Sequence, residues 1–334
     1  VGITSLQRAA PGDRYCEMMS RHLGATVVRA LTDDDVTEIY VNIDGEVRFD
    51  TRSQGRAKSG EYIGAHRVEM FLNAVASSLG VTLCAQNASL EAELPIAEFR
   101  GSRLQGFVAP ITAAPTFNIR KPASAIYSLD AYVTSGVISE AHRGELRRAV
   151  LGHSNIVIAG GTNSGKTTLA NAVLLEVTEL FPRERIVVLE DTVELQCAAR
   201  DHLSLRTGPG VSLTQLVRSA LRTSPNRIVV GEVRGPEALD LLDAWATGHP
   251  GGVSTVHASS AEGALLRLDR LAQRANVPSQ KYLIAEAIDT VIVIQGGNGG
   301  RRVTDLATVE GIDANGTLLV RHSPNNLEQT GAYT

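Results

Sequence analysis

The chain has 334 residues, room for about two domains with a buried core in each. Hydrophobic residues make up 43% and charged residues 20%, a globular balance. Net charge −4 with 7 Tyr, 6 Phe and 1 Trp gives no compositional support for direct nucleic-acid binding. No apolar run approaches the roughly 18 residues that span a bilayer, and the opening Val1-Gly2-Ile3-Thr4 has no basic region leading into an apolar stretch; the expectation is a cytoplasmic protein. Three scattered cysteines, Cys16, Cys84 and Cys197, form neither a disulfide framework nor paired zinc knuckles.

Residues 1–120 read as an N-terminal α+β domain. Val36–Val41 alternates in the strand period, turns at Asp44-Gly45 and resumes over Glu46–Phe49, a hairpin pattern. Residues 62–79 carry apolar positions at helical spacing before Gly80. Short strands are expected over 91–99, 102–109 and 116–120. The Pro-, Ser- and Ala-containing stretch 121–140 reads as a linker that leads into a helix near 139–151.

From 141 to 322 the pattern becomes a regular alternation. Apolar runs at 156–159, 186–189, 228–230 and 253–256 are each followed by a helical segment. Ser212…Gln215 and Ser259…Glu262 open two of those helices with capping-box spacing, and Pro236 suits a first helical turn. After Pro278 come a last helix, the strand 291–294 and a hairpin turning near Asn315-Gly316. Strands alternating with helices predict an α/β domain with a mainly parallel sheet covered on both faces. Residues 323–334 read as a flexible tail.

Only four lysines occur, Lys58, Lys121, Lys166 and Lys281, and Lys166 completes GGTNSGKTT at 160–168. This satisfies G-x-x-x-x-G-K-[ST], for which the composition expects roughly 0.005 matches by chance, and it lies between an apolar strand and a helix. Gly160, Gly161, Thr162, Asn163, Ser164, Gly165, Lys166, Thr167 and Thr168 would wrap a nucleotide's phosphates. Turn N–H groups and the helix N-terminus favour the anion, Lys166 reaches the β- and γ-phosphates, and the Thr167 hydroxyl ligates Mg²⁺. The phosphate loop alone leaves kinase, GTPase, helicase and motor open; Glu232, in Gly231-Glu232-Val233-Arg234, ends a predicted strand where open α/β sheets bind ligands, placed to orient and polarise an attacking water. Glu190, with Asp191 and Glu194, follows another strand and is placed to bind the metal's water shell.

The phosphate loop, LEDTVEL at 189–195, RIVVGEVRG at 227–235 and TGHPGGVSTVHA at 247–258 resemble the Walker A, Asp box, Walker B and His box of the type II/type IV secretion traffic ATPases. With FNIRKPA at 117–123, the wording is most similar to the TrbB-type conjugal transfer ATPases. The resemblance covers roughly residues 30–315. It implies a Per-Arnt-Sim-like N-terminal domain before a RecA-like P-loop domain, and a homo-hexamer that hydrolyses ATP with Mg²⁺. Such a motor works with inner-membrane components of a conjugative apparatus, at the cytoplasmic face of the inner membrane, in pilus biogenesis or substrate transfer. It further implies that Glu232 is the catalytic glutamate, that His249 and His257 link nucleotide state to the subunit interface, and that Arg103 and Arg120 approach the γ-phosphate. Gly231 stands where many phosphate-loop ATPases have a metal-binding aspartate, a glycine the family shares; Asn226 departs from the usual aspartate after proline. The alternatives are a type IV pilus or type II secretion ATPase, though the tetracysteine of many type II enzymes is missing, and a RecA-like nucleic-acid translocase.

Overall fold

The computed structural model describes residues 7–8, 13–122, 126–208, 210–297 and 300–324. Two compact units divide the chain between Ser124 and Ala125, each built on its own sheet.

The first unit is a seven-stranded sheet in the order Gln7–Arg8, Ser89–Glu93, Arg103–Phe107, Thr116–Arg120, Val36–Val41, Glu46–Thr51, Gly55–Tyr62. The expected hairpin is there, with Ile39 opposite Phe49. The helix Ala65–Ser78 buries Phe71 and Leu72 against the sheet, and Phe71 meets Phe117 edge-on at 5.3 Å. A Cβ on Gly106 would lie 2.4 Å from the Leu72 side chain, so glycine there lets Leu72 sit directly on the strand beneath this helix. Two readings need correction. The segment 91–99 is not one strand: it stops at Glu93, and Pro95 starts the short helix Ile96–Phe99. The strand Gly55–Tyr62 was not expected, because GRAKSGEY lies on an exposed sheet edge and shows no apolar alternation. Lys121 is buried, its Nζ donating to the carbonyls of Ala30 and Asp33 at the end of the helix Ala25–Thr32, and burial lowers its pKa to about 8.

The second unit carries an eight-stranded sheet in the order His202–Arg206, Ile186–Glu190, Arg227–Val230, Val253–Val256, Ile156–Gly160, Thr290–Gly297, Gly300–Ile312, Leu318–His322. The first six strands run parallel and the last two close it as an antiparallel meander. Strands covered on both faces read as near-continuous apolar runs, and Ile156–Gly160 and Ile186–Glu190 are buried throughout, the run broken only by Glu190 at its end. Their side chains divide between two cores. Val157, Ala159, Val187 and Leu189 face the helices Leu213–Ala220, Glu237–Ala246, Ala261–Ala272 and Lys281–Ala287. Ile156, Ile158, Ile186 and Val188 face Leu129–Thr134, Glu140–Leu151 and Lys166–Leu180. The Ser212–Gln215 capping box forms as read, whereas the later helix is capped by Ser260 rather than Ser259, its hydroxyl accepting from the Gly263 N–H. Within 121–140 a helix forms at Leu129–Thr134. Of the expected tail, Ser323 is buried, its N–H bonded to the Leu306 carbonyl; residues 325–334 lie outside the described residues. No helix among the described residues is long and apolar enough to cross a membrane.

One group in the second core conflicts with its surroundings. His142, on the helix Glu140–Leu151, is fully buried and neither ring nitrogen has a hydrogen-bond partner. Burial lowers its pKa, while Glu145 and Asp305 pull the other way. The unfolded chain therefore takes up a proton near pH 6.5 that the folded chain refuses, and stability falls as the pH drops below that value. Replacing His142 with leucine removes two unpaired polar atoms; it is expected to stabilise this unit by about 1–2 kcal/mol at neutral pH and to flatten this loss on acidification, both read from denaturant titrations at pH 7.5 and 5.5.

Candidate active site

All six parallel strands deliver their C-terminal ends to one sheet edge, and the chemistry-bearing side chains gather there. At the end of Ile156–Gly160 the backbone turns through left-handed Asn163 and Gly165 into the helix Lys166–Leu180. A Cβ on Gly160 would lie 2.4 Å from Ser164 Oγ and 2.5 Å from the Ile294 carbonyl, so the turn closes only on glycine. Gly161 faces open space, Thr162 and Asn163 are exposed, and Thr167 and Thr168 are half-buried. Lys166 is buried and folds back over the loop, Nζ donating to the carbonyls of Gly160 at 3.0 Å and Gly161 at 2.7 Å.

His257, just past the strand Val253–Val256, approaches Lys166 Nζ with its Nδ1 at 3.4 Å. An ammonium only donates, so Nδ1 is the acceptor and the ring proton sits on Nε2. Burial, and next the charge of Lys166, lower the pKa of His257 and keep it neutral. Its Nε2 lies 2.9 Å from Glu232 Oε1, a close approach without hydrogen-bond alignment: that oxygen is buried and has no hydrogen-bond partner. Glu232 Oε2 is held by Arg234 Nη2 at 2.5 Å.

Glu190 is buried at the end of its strand, and burial pushes its pKa up to about 7 against the two N–H groups, of Glu194 and Leu195, that Oε1 accepts. Glu194 Oε2 in turn accepts from the Thr167 hydroxyl at 2.9 Å. The fully buried Asn171 fixes the same loop, its Oδ1 accepting from the Gln196 N–H at 2.8 Å. A Cβ on Gly231 would lie 2.9 Å from Glu190 Cγ, which gives the missing aspartate a steric reason: the Glu190 stem already fills that space.

Lys166, Thr167, Glu190, Glu232 and His257 thus share one site. His249 does not join them. It precedes its strand, at the opposite sheet edge, where its Nδ1 donates to the Pro225 carbonyl at 3.3 Å. Arg103 and Arg120 belong to the first unit and sit opposite each other across neighbouring strands, Arg103 paired with Glu91 at 3.3 Å and Arg120 with Glu38 at 3.8 Å. Asn226 is a splice in the backbone: its Oδ1 accepts from the Arg185 N–H at 2.8 Å, a bond an aspartate would make equally well. Sequence reasoning gave no role to Asn171 or Arg234; for Arg234 the available signal was its place two residues after Glu232.

Gly231→Ala is expected to cost about 1–3 kcal/mol by overpacking against Glu190. In a Glu190→Ala background, where the facing Cγ is gone, the same change is expected to cost less than about 0.5 kcal/mol, an interaction that a double-mutant cycle by chemical denaturation measures.

The type II/IV secretion system protein family model matches residues 85–296. The chain is similar to the probable conjugal transfer protein TrbB of Sinorhizobium fredii, 43% identical over 89% of this chain and 90% of that one. It is also similar to the type IV secretion system protein PtlH homolog of Bordetella bronchiseptica, 36% identical over 85% of this chain and 93% of that one. In fold it matches the Legionella pneumophila ATPase DotB, with a TM-score of 0.59 at 16% identity over 95% of this chain and 83% of that one. With these matches spanning most of its length, the chain belongs to the type II/IV secretion system protein family.

Proposed function

We propose that this protein is an ATP-hydrolysing motor of a conjugative type IV secretion apparatus, with a Per-Arnt-Sim-like first unit and a RecA-like P-loop second unit. The observation that carries the reading is the convergence of Lys166, His257 and Glu232 on one sheet edge, with Lys166 Nζ 3.4 Å from His257 Nδ1 and His257 Nε2 2.9 Å from Glu232 Oε1. Family membership and the conjugal transfer relative support the biological setting.

The residues fit a magnesium nucleotide. Bound ATP supplies the γ-phosphoryl group, and Mg²⁺ neutralises charge across its oxygens. Lys166 would exchange two loop carbonyls for phosphate oxygens while the loop's N–H groups and the helix N-terminus favour the anion. The Thr167 hydroxyl, with the Glu194 and Glu190 carboxyls behind it, is the hard oxygen set that Mg²⁺ prefers. Among the described residues no group of three or more His, Cys, Asp or Glu side chains is placed to hold a metal ion. Glu232 orients the attacking water with Oε1, and His257 stays neutral beside it. That Arg103 and Arg120 approach a γ-phosphate is what the family resemblance implies; within the first unit each is ion-paired, with Glu91 and Glu38. Six copies would form a ring at the cytoplasmic face of the inner membrane, bound peripherally to membrane components of the apparatus.

Lys166→Ala is expected to lose ATP binding with the fold intact, by calorimetry and circular dichroism. Glu232→Gln is expected to keep ATP binding and to slow single-turnover hydrolysis at least about a hundredfold. Sedimentation of the Glu232→Gln protein with ATP should give the hexamer, and turnover by a strictly monomeric wild-type protein contradicts the ring. Arg120→Ala should retain ADP binding and slow hydrolysis, with lysine rescuing only in part because it lacks the planar fork; unchanged turnover would leave Arg120 a surface charge.

A further inference from the structure

A carboxylate that activates water must present a chosen lone pair at a fixed place, and a glutamate side chain has three rotatable bonds to lose before it does so. Glu232 lies just past the end of the strand Arg227–Val230, so its backbone alone does not fix its head. The head is hydrogen-bonded from one side only. Arg234 Nη2 holds Oε2 at 2.5 Å, while Oε1, 2.9 Å from His257 Nε2, is buried without a hydrogen-bond partner.

Arg234 is itself mounted rigidly. Its N–H and that of Gly235 both donate to Glu237 Oε1 at 2.7 Å, and its carbonyl accepts from Arg274 Nη1 at 2.9 Å. The preceding Val233 N–H is tied to the Thr255 carbonyl at 2.9 Å, and the Thr255 hydroxyl to the Gly231 carbonyl at 2.8 Å. Glu237 is buried at the start of the helix Glu237–Ala246, and a Cβ on Gly235 would lie 2.7 Å from its Oε2. The turn from Gly231 to Glu237 is thus held along its length, and the guanidinium it carries has a fixed origin.

We propose that Arg234 is a positioning residue for hydrolysis: by occupying Oε2 it turns Oε1 of Glu232 into the single open acceptor for the attacking water, beside the neutral ring of His257. This rests on the proposed ATPase reading. Arg234 acts through Glu232 and contributes nothing to holding nucleotide. A guanidinium suits the task because it stays charged and gives Oε2 a strong charge-assisted hydrogen bond from a stiff planar head.

The test uses Arg234→Gln and Arg234→Lys in the full chain, each in wild-type and Glu232→Gln backgrounds. In the wild-type background Arg234→Gln is expected to lower kcat about 10- to 100-fold with KM for ATP within about twofold, and Arg234→Lys to recover part of the loss. Calorimetry should show unchanged Mg-ADP affinity and weaker binding of Mg-ADP with aluminium fluoride, a mimic that includes the in-line water. In the Glu232→Gln background Arg234→Gln should add less than about twofold. An equal loss in both backgrounds, or a parallel loss of Mg-ADP affinity, overturns the proposal, as does wild-type turnover in both Arg234 variants, which leaves the ATPase reading standing. If Arg234→Gln does not fold, Arg234→Lys with native Mg-ADP affinity decides alone. Absence of hydrolysis by the wild-type protein overturns the ATPase reading first and this one with it.

Discussion

A buried ammonium is the constraint around which the second unit is arranged. Removing a lysine's charge from water costs several kcal/mol unless acceptors replace the solvent. Lys166 finds them in the carbonyls of Gly160 and Gly161 and in Nδ1 of His257. Each acceptor carries its own consequence. The two carbonyls point inward only because the loop is glycine-rich, and a side chain at Gly160 would strike Ser164 and Ile294. The imidazole must stay neutral to accept, and the neighbouring cation helps to keep it so. Its Nε2 is left 2.9 Å from Glu232 Oε1. One charge thereby sets the shape of a loop and the protonation of a histidine.

Space does the rest. The edge where Glu190 and Glu232 meet leaves room for one acidic stem between adjacent strands, and Gly231 yields that room to Glu190. The buried Glu190 pays for its position with a raised pKa and is steadied by two backbone N–H groups. Those same bonds shape the loop that carries Glu194 to the Thr167 hydroxyl. An aspartate at position 231 and a glutamate at 190 are alternatives for one volume.

Most of this unit was legible because doubly covered parallel strands leave a strong sequence signal: unbroken runs such as IVIAG and IVVLE followed by helical periods. The phosphate loop was legible because its glycines, lysine and threonine have fixed offsets. Elements without an apolar period escaped. Gly55–Tyr62 and His202–Arg206 lie at sheet edges, and neither is buried as a central strand is. The helix Leu129–Thr134 lies inside a stretch whose prolines and serines read as a linker. At the site, motif order named Glu232 but not its partner, since hydrogen bonding between residues two apart depends on how the turn after the strand is held. His249 and His257 share one motif, yet they flank a single strand and so fall at opposite ends of it.

Those opposite ends are built on different principles. At the N-terminal edge, polar groups are paired to one another. Asn155 donates to the Ala287 carbonyl and accepts from the Gly252 N–H, Asn226 exchanges bonds with Arg185, and fully buried Arg227 binds Glu184 at 2.5 Å and the Gly251 carbonyl at 3.0 Å. Arg227 Nη2 is the exception, without a partner. At the C-terminal edge, Glu232 keeps a buried oxygen open and Lys166 is satisfied by loop carbonyls that a phosphate could replace. The four residues of Arg227–Val230 separate the two edges by about 13 Å, too far for side chains of one to serve the other. Strands pinned at their starts have little freedom to shift when a ligand arrives at their ends. The unsatisfied groups can therefore persist where binding would relieve them, because the structure that holds them in place is complete elsewhere.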